Sequence, residues 1–306
     1  MYCITGGCGF IGSHIAQALV QKGEKVRIID NLSSGNLDNI EEFKAKVEFI
    51  EGDIREADVM RDVSKGVDYI IHQAALVSVG KSVEQPLLNH EINVTGTINV
   101  LEAARANNVK KVVMASSAAV YGNEPELPKR ETQTPVPVSP YGLAKYMDEQ
   151  YAALYTSLYG VPTACLRYFN VFGPRQDPRS PYSGVLSIFS NAFSQDKVHL
   201  TLFGDGLQTR DFVYVKDVVQ ANLLACTITT PHAVFNVGTG VESSLLDVID
   251  VLQDITAKEV ECDFKEPRKG DIKQSVADIS LLSSQGYIPK YSLEEGLHEY
   301  WKLLKK

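Results

Sequence analysis

The chain has 306 residues, a formal net charge of −8, and 44% hydrophobic against 22% charged residues. That length suits two fused domains or one large one, and the composition supports a sizeable core. The acidic balance argues against a general nucleic-acid binder but not against a nucleotide ligand, which needs only a few local cations.

The chain opens directly on a strand-like run, Tyr2-Cys3-Ile4-Thr5, with no leader-like segment before it. No apolar run is long enough to span a bilayer. A cytoplasmic protein with no membrane partner is expected. Further strand candidates are 25–29, 47–50, 69–72, 111–115 and 163–167. Between them lie helical patterns: Ile11, Ile15 and Leu19 recur every four residues, and Ile92, Ile98, Val100, Leu101 and Ala104 mark a longer helix starting near Pro86. Near-continuous apolar strands alternating with helices predict a parallel sheet covered on both faces. The fold class is α/β, a Rossmann-type doubly wound sheet.

The first turn carries Gly6, Gly9 and Gly12, three apart, between a strand and a helix. Gly6 permits a tight turn, Gly9 a close approach of backbone to a pyrophosphate, and Gly12 close packing of helix on strand. Asp30 ends the second strand eighteen residues on, where a carboxylate accepts both hydroxyls of an adenosine ribose and repels a 2′-phosphate. No Arg follows it, so NAD is favoured over NADP. Asp53, after the third strand, stands where an acid holds an adenine amino group, with Ile54 packing on the ring.

Ser117 ends a later strand, and Tyr141 and Lys145 are four apart on the helix that follows Ser139-Pro140, hence on one face. A free tyrosine titrates at about 10, too high for a base near neutrality. A neighbouring ammonium and a cationic nicotinamide both favour the phenolate. Ser117 can hold the reacting hydroxyl. A lone Tyr-x-x-x-Lys pair is usually a surface helix pair; the glycine loop and Ser117 make it a redox site.

After about Asn170 the pattern loosens, broken by Pro174, Pro178 and Pro181. Strand-like runs follow at 211–215 and 234–237. A smaller C-terminal α/β substrate-binding lobe is expected, interleaved with the sheet domain: residues 1–169 bind the dinucleotide, with late elements from about 205–235, and residues 170–306 form the lobe. The five cysteines, Cys3, Cys8, Cys165, Cys226 and Cys262, fit no zinc or disulfide spacing, and no metal site is expected.

Together these segments resemble the extended short-chain dehydrogenase/reductase family over nearly the whole chain, to about Asp278. Within it they are most similar to the UDP-glucose/UDP-N-acetylglucosamine 4-epimerases. The runs that carry this are 30–35 (DNLSSG), 72–75 (HQAA), 166–170 (LRYFN), 209–212 (TRDF) and 268–271 (RKGD). The resemblance implies NAD as cofactor and a UDP-sugar as substrate. It implies Ser117, Tyr141 and Lys145 as the catalytic set. Along the cofactor it places Gly6, Gly9, Phe10, Ile11, Gly12, Asp30, Asn31, Leu32, Ser34, Gly35, Asp53, Ile54, Gln73, Ala74, Ala75, Asn93, Ala115 and Tyr168, with Phe169 near the nicotinamide. On the substrate side it places Val79, Asn170, Gly184, Val185, Asp271 and Ser275, with Thr201 and Phe203 on uracil and Arg210 and Arg268 on the diphosphate.

Two departures bear on the reaction. Related dehydratases carry an acid beside the catalytic Ser, where this chain has Ala118 and Ala119, which disfavours loss of water. Some hexose-specific epimerases have a bulky Tyr where this chain has Ser275, seven residues after Arg268. A small residue there leaves room for an N-acetyl group, as does the similarity of 170–178 to N-acetylhexosamine-accepting members. The rivals are a UDP-glucuronate 4-epimerase, whose substrate carboxylate could use Arg175 or Lys81, a 4,6-dehydratase, and a non-catalytic dinucleotide sensor. The sensor reading sits poorly with Tyr141 and Lys145 both present. Helices near 86–107 and 139–159, with a stripe of Tyr151, Leu154, Tyr155 and Leu158, are expected to pair in a homodimer.

Overall fold

The computed structural model describes residues 1–176, 184–267 and 273–304. Up to Tyr168 the chain alternates strand and helix: β1 (Tyr2–Thr5), α1 (Phe10–Gln21), β2 (Val26–Asp30), β3 (Val47–Glu51), α2 (Ala57–Val63), β4 (Tyr69–His72), α3 (Val79–Glu84) and α4 (Pro86–His90). The last runs through a wider turn into α5 (Gly96–Ala106); β5 (Lys111–Ser117), α6 (Pro140–Tyr159) and β6 (Thr163–Tyr168) follow. The expected strands stand within a residue or two of their predicted ends. β5 and β6 run on through Ser117 and Tyr168, so both candidate site residues are the last of their strands.

Seven strands and five helices follow among the described residues. β7 (Asn170–Phe172), α7 (Val185–Ser194), β8 (Val198–Phe203), β9 (Thr209–Arg210) and β10 (Phe212–Tyr214) lead to α8 (Val215–Thr227) and β11 (His232–Val237). β12 (Ser243–Ser244), α9 (Leu245–Thr256), β13 (Val260–Lys265), α10 (Ser280–Ser283) and α11 (Leu293–Leu304) end the chain. β11 leaves the lobe and joins β6, giving a seven-stranded sheet in the order β11-β6-β5-β4-β1-β2-β3, parallel throughout.

Strand alternation sends neighbouring residues to opposite faces, and both faces are buried. Ile4, Ile28, Val113 and Leu166 pack with α1 and α8 residues on one face. Cys3, Ile29, Ile70, Met114 and Cys165 pack with α2, α5 and α6 on the other. The lobe has its own core, built on Phe172, Phe193, Leu202, Tyr214, Leu252 and Leu297.

The run expected as a strand over 211–215 is one over its middle, β10 at Phe212–Tyr214; Asp211 separates it from β9, and Val215 begins α8. Asp211 is fully buried, and its carboxylate accepts the backbone N–H groups of Thr239, Gly240 and Ala277 and the Thr239 hydroxyl. Satisfying a buried carboxylate outweighs continuing a strand.

The chain's order reverses between β1 and β4, and ligands of such sheets bind outside the strand ends at that switch point. Thr5, Asp30, His72, Ser117 and Tyr168, each the last residue of its strand, share that edge.

Candidate active site

Gly6 leaves β1 at φ +66°, the left-handed region open to glycine. A Cβ on Gly6 would stand 2.7 Å from the Ala74 nitrogen, and one on Gly12 2.2 Å from the Gly6 carbonyl oxygen. The loop is therefore a cradle of bare backbone at the start of α1, whose first turn has no side-chain cap and no acid. Its free N–H groups and the positive end of the helix suit a pyrophosphate. This fits a dinucleotide. Gly7, to which sequence reasoning gave no role, is held by Ile28, whose Cγ2 would lie 2.6 Å from a Cβ.

Asp30 is buried at the end of β2 and accepts the backbone N–H groups of Cys8 (2.9 Å) and Leu32 (2.9 Å). Burial raises its carboxyl above the ordinary value, against those hydrogen bonds. Gly35 packs so closely that a Cβ would lie 2.7 Å from Asp30 Oδ1, so 30–35 close as one acid-centred turn, with Leu32 at φ +56°. Asp53 is bonded by Arg55 (2.7 and 3.0 Å) and Asn31 (2.8 Å), which hold its carboxyl down at about 2. Ile54 packs under Gly96.

Gln73 and Ala74 follow β4, their N–H groups on the Thr5 hydroxyl (3.2 Å each). Gln73 donates to the Tyr168 phenol at 3.0 Å, and the phenol donates to Asn222 at 2.9 Å. These two residues thus close the wall beside Ser117, to which Tyr168 is the register partner. Asn93 is buried on the segment that leads into α5. Its amide bonds Leu76 N–H (2.8 Å), Leu76 C=O (3.0 Å) and Asn89 (2.8 Å), so it pins the segment after Ala75 and keeps one acceptor lone pair on Oδ1.

Ser117 Oγ accepts the Ala119 N–H at 3.1 Å, which fixes the hydroxyl at the strand end. The turn 118–120 then presses on the start of α6: a Cβ on Gly142 would lie 2.6 Å from the Ala119 carbonyl oxygen. That contact brings Ser117 and Tyr141 into one corner. α6 starts at Pro140 with Ser139 as its cap (3.1 Å to Gly142 N–H). Tyr141 N–H, free as one of the first in a helix, is taken by Ser82 Oγ at 3.1 Å, and Asn89 donates to Pro140 C=O at 3.1 Å. Lys145 is buried on the same face.

Beneath this corner lies a network that sequence reasoning missed. Glu149 takes both arms of Arg167 (2.9 and 2.7 Å) and the Ser116 hydroxyl (2.6 Å), all buried. Arg167 also stacks 4.8 Å from the Tyr121 ring, whose hydroxyl donates to Asn236 (2.6 Å). The only sequence signal was Glu149 standing four residues after Lys145, on the same face.

On the lobe side, Asn170 opens β7, Gly184 and Val185 begin α7, and Val79 stands exposed at the start of α3. Thr201 is exposed and Phe203 half-buried on β8, whose partner is β13. Arg210, half-buried, donates to the Thr209 carbonyl. Ser275 is half-buried beside Ala277. Arg268 and Asp271 lie outside the described residues.

Three further side chains are placed by packing. Arg175 bonds Ser13 (3.3 Å) and Gln17 (2.8 Å) on α1, so it braces the glycine-loop helix. Tyr155 is buried and donates to Glu102 (2.7 Å), while Leu154 and Leu158, four apart, stay exposed. Cys8, for which no reactive role was expected, is buried, and burial pushes its thiol up to about 12.

Residues 2–238 match the family described as NAD dependent epimerase/dehydratase. The chain is similar to the UDP-glucose 4-epimerase of Mycolicibacterium smegmatis, 38% identical over 299 residues, covering 96% of this chain and 95% of that one. Among solved structures it is similar to a UDP-N-acetylglucosamine 4-epimerase from Methanobrevibacter ruminantium in complex with UDP-N-acetylmuramic acid. The TM-score is 0.94 at 38% identity, covering 99% and 97% of the two chains. It is equally similar to a Thermotoga maritima UDP-glucose 4-epimerase with UDP-glucose, at TM-score 0.93 and 38% identity, over 99% and 98%.

Proposed function

The chain belongs to the NAD-dependent epimerase/dehydratase family, and we propose that it is a UDP-sugar 4-epimerase. Its substrates are UDP-glucose/UDP-galactose and UDP-N-acetylglucosamine/UDP-N-acetylgalactosamine. One observation carries this reading: a bare-backbone dinucleotide cradle and the Ser117–Tyr141–Lys145 corner share one edge of one sheet. The curated relative and solved structures of similar sequence, all named as epimerases of these sugars, support it.

Gly6, Gly9 and Gly12 hold the pyrophosphate of NAD, Asp30 its adenosine ribose, and Lys145 its nicotinamide ribose. When bound, NAD supplies reversible oxidation at sugar C4. The protein's share is proton transfer and anchoring. Ser117 holds the 4-oxygen, and Tyr141 takes its proton and later returns it. Lys145 supplies the positive charge that favours the Tyr141 phenolate. Asn170, Thr201, Phe203, Arg210, Arg268 and Asp271 keep the UDP in place while the 4-keto sugar turns over and presents its other face. Residues 1–169, with α8 and β11, form the NAD-binding part, and the rest the UDP-sugar-binding lobe.

A dehydratase needs an acid beside Ser117. Ala118 and Ala119 supply none, and Glu149 below them is spent on Arg167 and Ser116. Leu87, Val83, Leu154 and Leu158 expose apolar surface on α3, α4 and α6, and we assign that surface to a homodimer. No helix among the described residues is long and apolar enough to cross a membrane.

The test is incubation of purified protein, without added NAD, with UDP-N-acetylglucosamine and separately with UDP-galactose, the C4 epimers being resolved by NMR. Epimers from both are expected. Epimers from UDP-galactose alone would keep the mechanism and refute the reading of Ser275. None from either, with NAD added, would overturn the assignment.

A further inference from the structure

α6 brings a third titratable group to the reactive corner. Asp148 lies one turn beyond Lys145; both residues are 2% exposed, and Lys145 Nζ stands 3.4 Å from Asp148 Oδ2. Two buried carboxylates therefore follow one another on this helix, with different partners. Glu149 is neutralised by the paired arms of Arg167.

The groups facing Asp148 come from α5, β4, β6 and its own helix. Thr97 of α5 lies beside its carboxyl but donates its hydroxyl proton to the Asn93 carbonyl, so Asp148 Oδ1 has no hydrogen-bond partner; Lys145 attracts the carboxyl and Glu149 repels it. His72 of β4 reaches Thr97 through Nε2 at 3.1 Å. The Thr5 hydroxyl accepts the Gln73 and Ala74 N–H groups, so its own proton goes to His72 Nδ1, leaving the proton of a neutral ring on Nε2. Burial, with Lys145 nearby, holds His72 down at about 3. Cys165 of β6 is kept a thiol by burial, well above its ordinary value, and Arg167 is committed to Glu149. Lys145 is the cation left for Asp148 among the described residues.

We propose that Asp148 is a positioning residue that draws the Lys145 ammonium away from the Tyr141 phenol and the cofactor ribose, so that carboxylate and phenolate compete for one positive charge. The inference rests on the Tyr141–Lys145 assignment above. Burial pushes the Asp148 carboxyl up to about 7, with Lys145 opposing, so its charge changes near neutrality. Below that pH the neutral acid leaves Lys145 to Tyr141. Above it the carboxylate takes part of the ammonium's field and adds a like charge near the phenolate. The two ionisations oppose each other, and the pair titrates in coupled steps. Asn at this position keeps the shape and removes the charge.

The experiment compares wild type and Asp148→Asn, both loaded with NAD, reading kcat for epimerisation along the acid limb of the pH profile. The variant's limb is expected about one pH unit lower. One unit below the wild-type midpoint, it keeps a several-fold larger share of its own plateau rate. The tyrosinate difference absorbance, with Tyr141→Phe as the blank, moves with it. Seven other tyrosines, Tyr2, Tyr121, Tyr155, Tyr168, Tyr214, Tyr287 and Tyr300, are raised by burial and do not crowd that range. An unmoved limb, with only the plateau or the melting temperature changed, overturns the proposal. Should Asp148→Asn not fold, Asp148→Ser is read in the same way. Near-normal turnover in Tyr141→Phe would remove the base assignment and this inference with it. An inactive Tyr141→Phe beside an unmoved Asp148→Asn limb would remove this inference alone.

Discussion

Ser117 and Thr201 are both assigned to hold substrate, yet they stand in unlike surroundings. Ser117 ends an inner strand of a seven-stranded sheet, paired in register with Tyr168 of β6 and underlain by the Glu149–Arg167–Ser116 network. Thr201 is an exposed position on the two-stranded β8–β13 pair, at the edge of a smaller core. The chemical side is over-determined, as proton transfer requires groups held to fractions of an ångström. The lobe side is held by fewer constraints, which suits a surface that anchors the nucleotide and takes no part in proton transfer.

The largest effect expected on the chemical side is that of Tyr141→Phe. It removes the proton acceptor and leaves the cradle untouched. Turnover should fall by roughly 10²–10⁴-fold with NAD still bound, measured by single-turnover kinetics and by cofactor retention on gel filtration. Near-normal turnover would mean the corner is not the reactive centre, and the contrast between the two sides would lose its meaning.

Glu149→Gln comes next and tests whether the rigidity is real. It leaves the buried Arg167 guanidinium with a neutral partner. Breaking a buried pair from one side costs about 3–5 kcal/mol, read from urea unfolding. Activity should fall with it, because Ser116 is the neighbour of Ser117. A loss below about 1 kcal/mol would show that the network is incidental.

How much of this was readable beforehand follows the same division. The glycine spacing, Asp30, Ser117 and the Tyr141–Lys145 pair were legible because local sequence sets them: a turn, a strand end, a helical period. The partners of the Asn93 amide, the Tyr155 hydroxyl and the Arg175 guanidinium were not legible, because Leu76, Glu102 and Gln17 lie well away in sequence and only packing brings them together. Asp148 and Glu149 were missed for a related reason. Two acids in succession on a helix read as a solvated face, and nothing local says that β6 and α5 cover them. Ser82 carried no signal either, since its bond to Tyr141 N–H joins two helices 59 residues apart.

On the lobe side the expected effects are smaller and selective. Ser275→Tyr should narrow the space beside the sugar 2-position. Turnover of UDP-N-acetylglucosamine relative to UDP-galactose should drop by roughly 10–200-fold, the range one steric element gives, while the melting temperature stays near wild type. The measurement is the ratio of kcat/KM for the two substrates. An equal fall for both would place Ser275 away from the 2-position. A large loss of stability would show that the lobe is packed as tightly as the sheet edge.

The smallest effect concerns pH and returns to the sheet side, where over-determination has a cost. His72 is neutral in the fold, bonded to Thr5 and Thr97, and is held down at about 3 by burial, with Lys145 adding to the effect. In the unfolded chain it titrates at about 6.5. Above that pH neither state binds the proton, and the contribution of His72 is intact. Between about 6.5 and 3 only the unfolded chain binds it, so stability is lost as pH falls, by at most about 1.4 kcal/mol per unit. His72→Asn gives up part of the hydrogen bonding and should be less stable than wild type at neutral pH. It has no such proton to gain, so the gap between the two should shrink on acidification, measured as urea midpoints on either side of the imidazole's free value. Every other titrating group is common to both proteins and cancels in the difference. A gap that stays constant would mean that the ring is protonated in the fold, which would place a second cation beside Asp148 and undo the charge balance on which Lys145 depends.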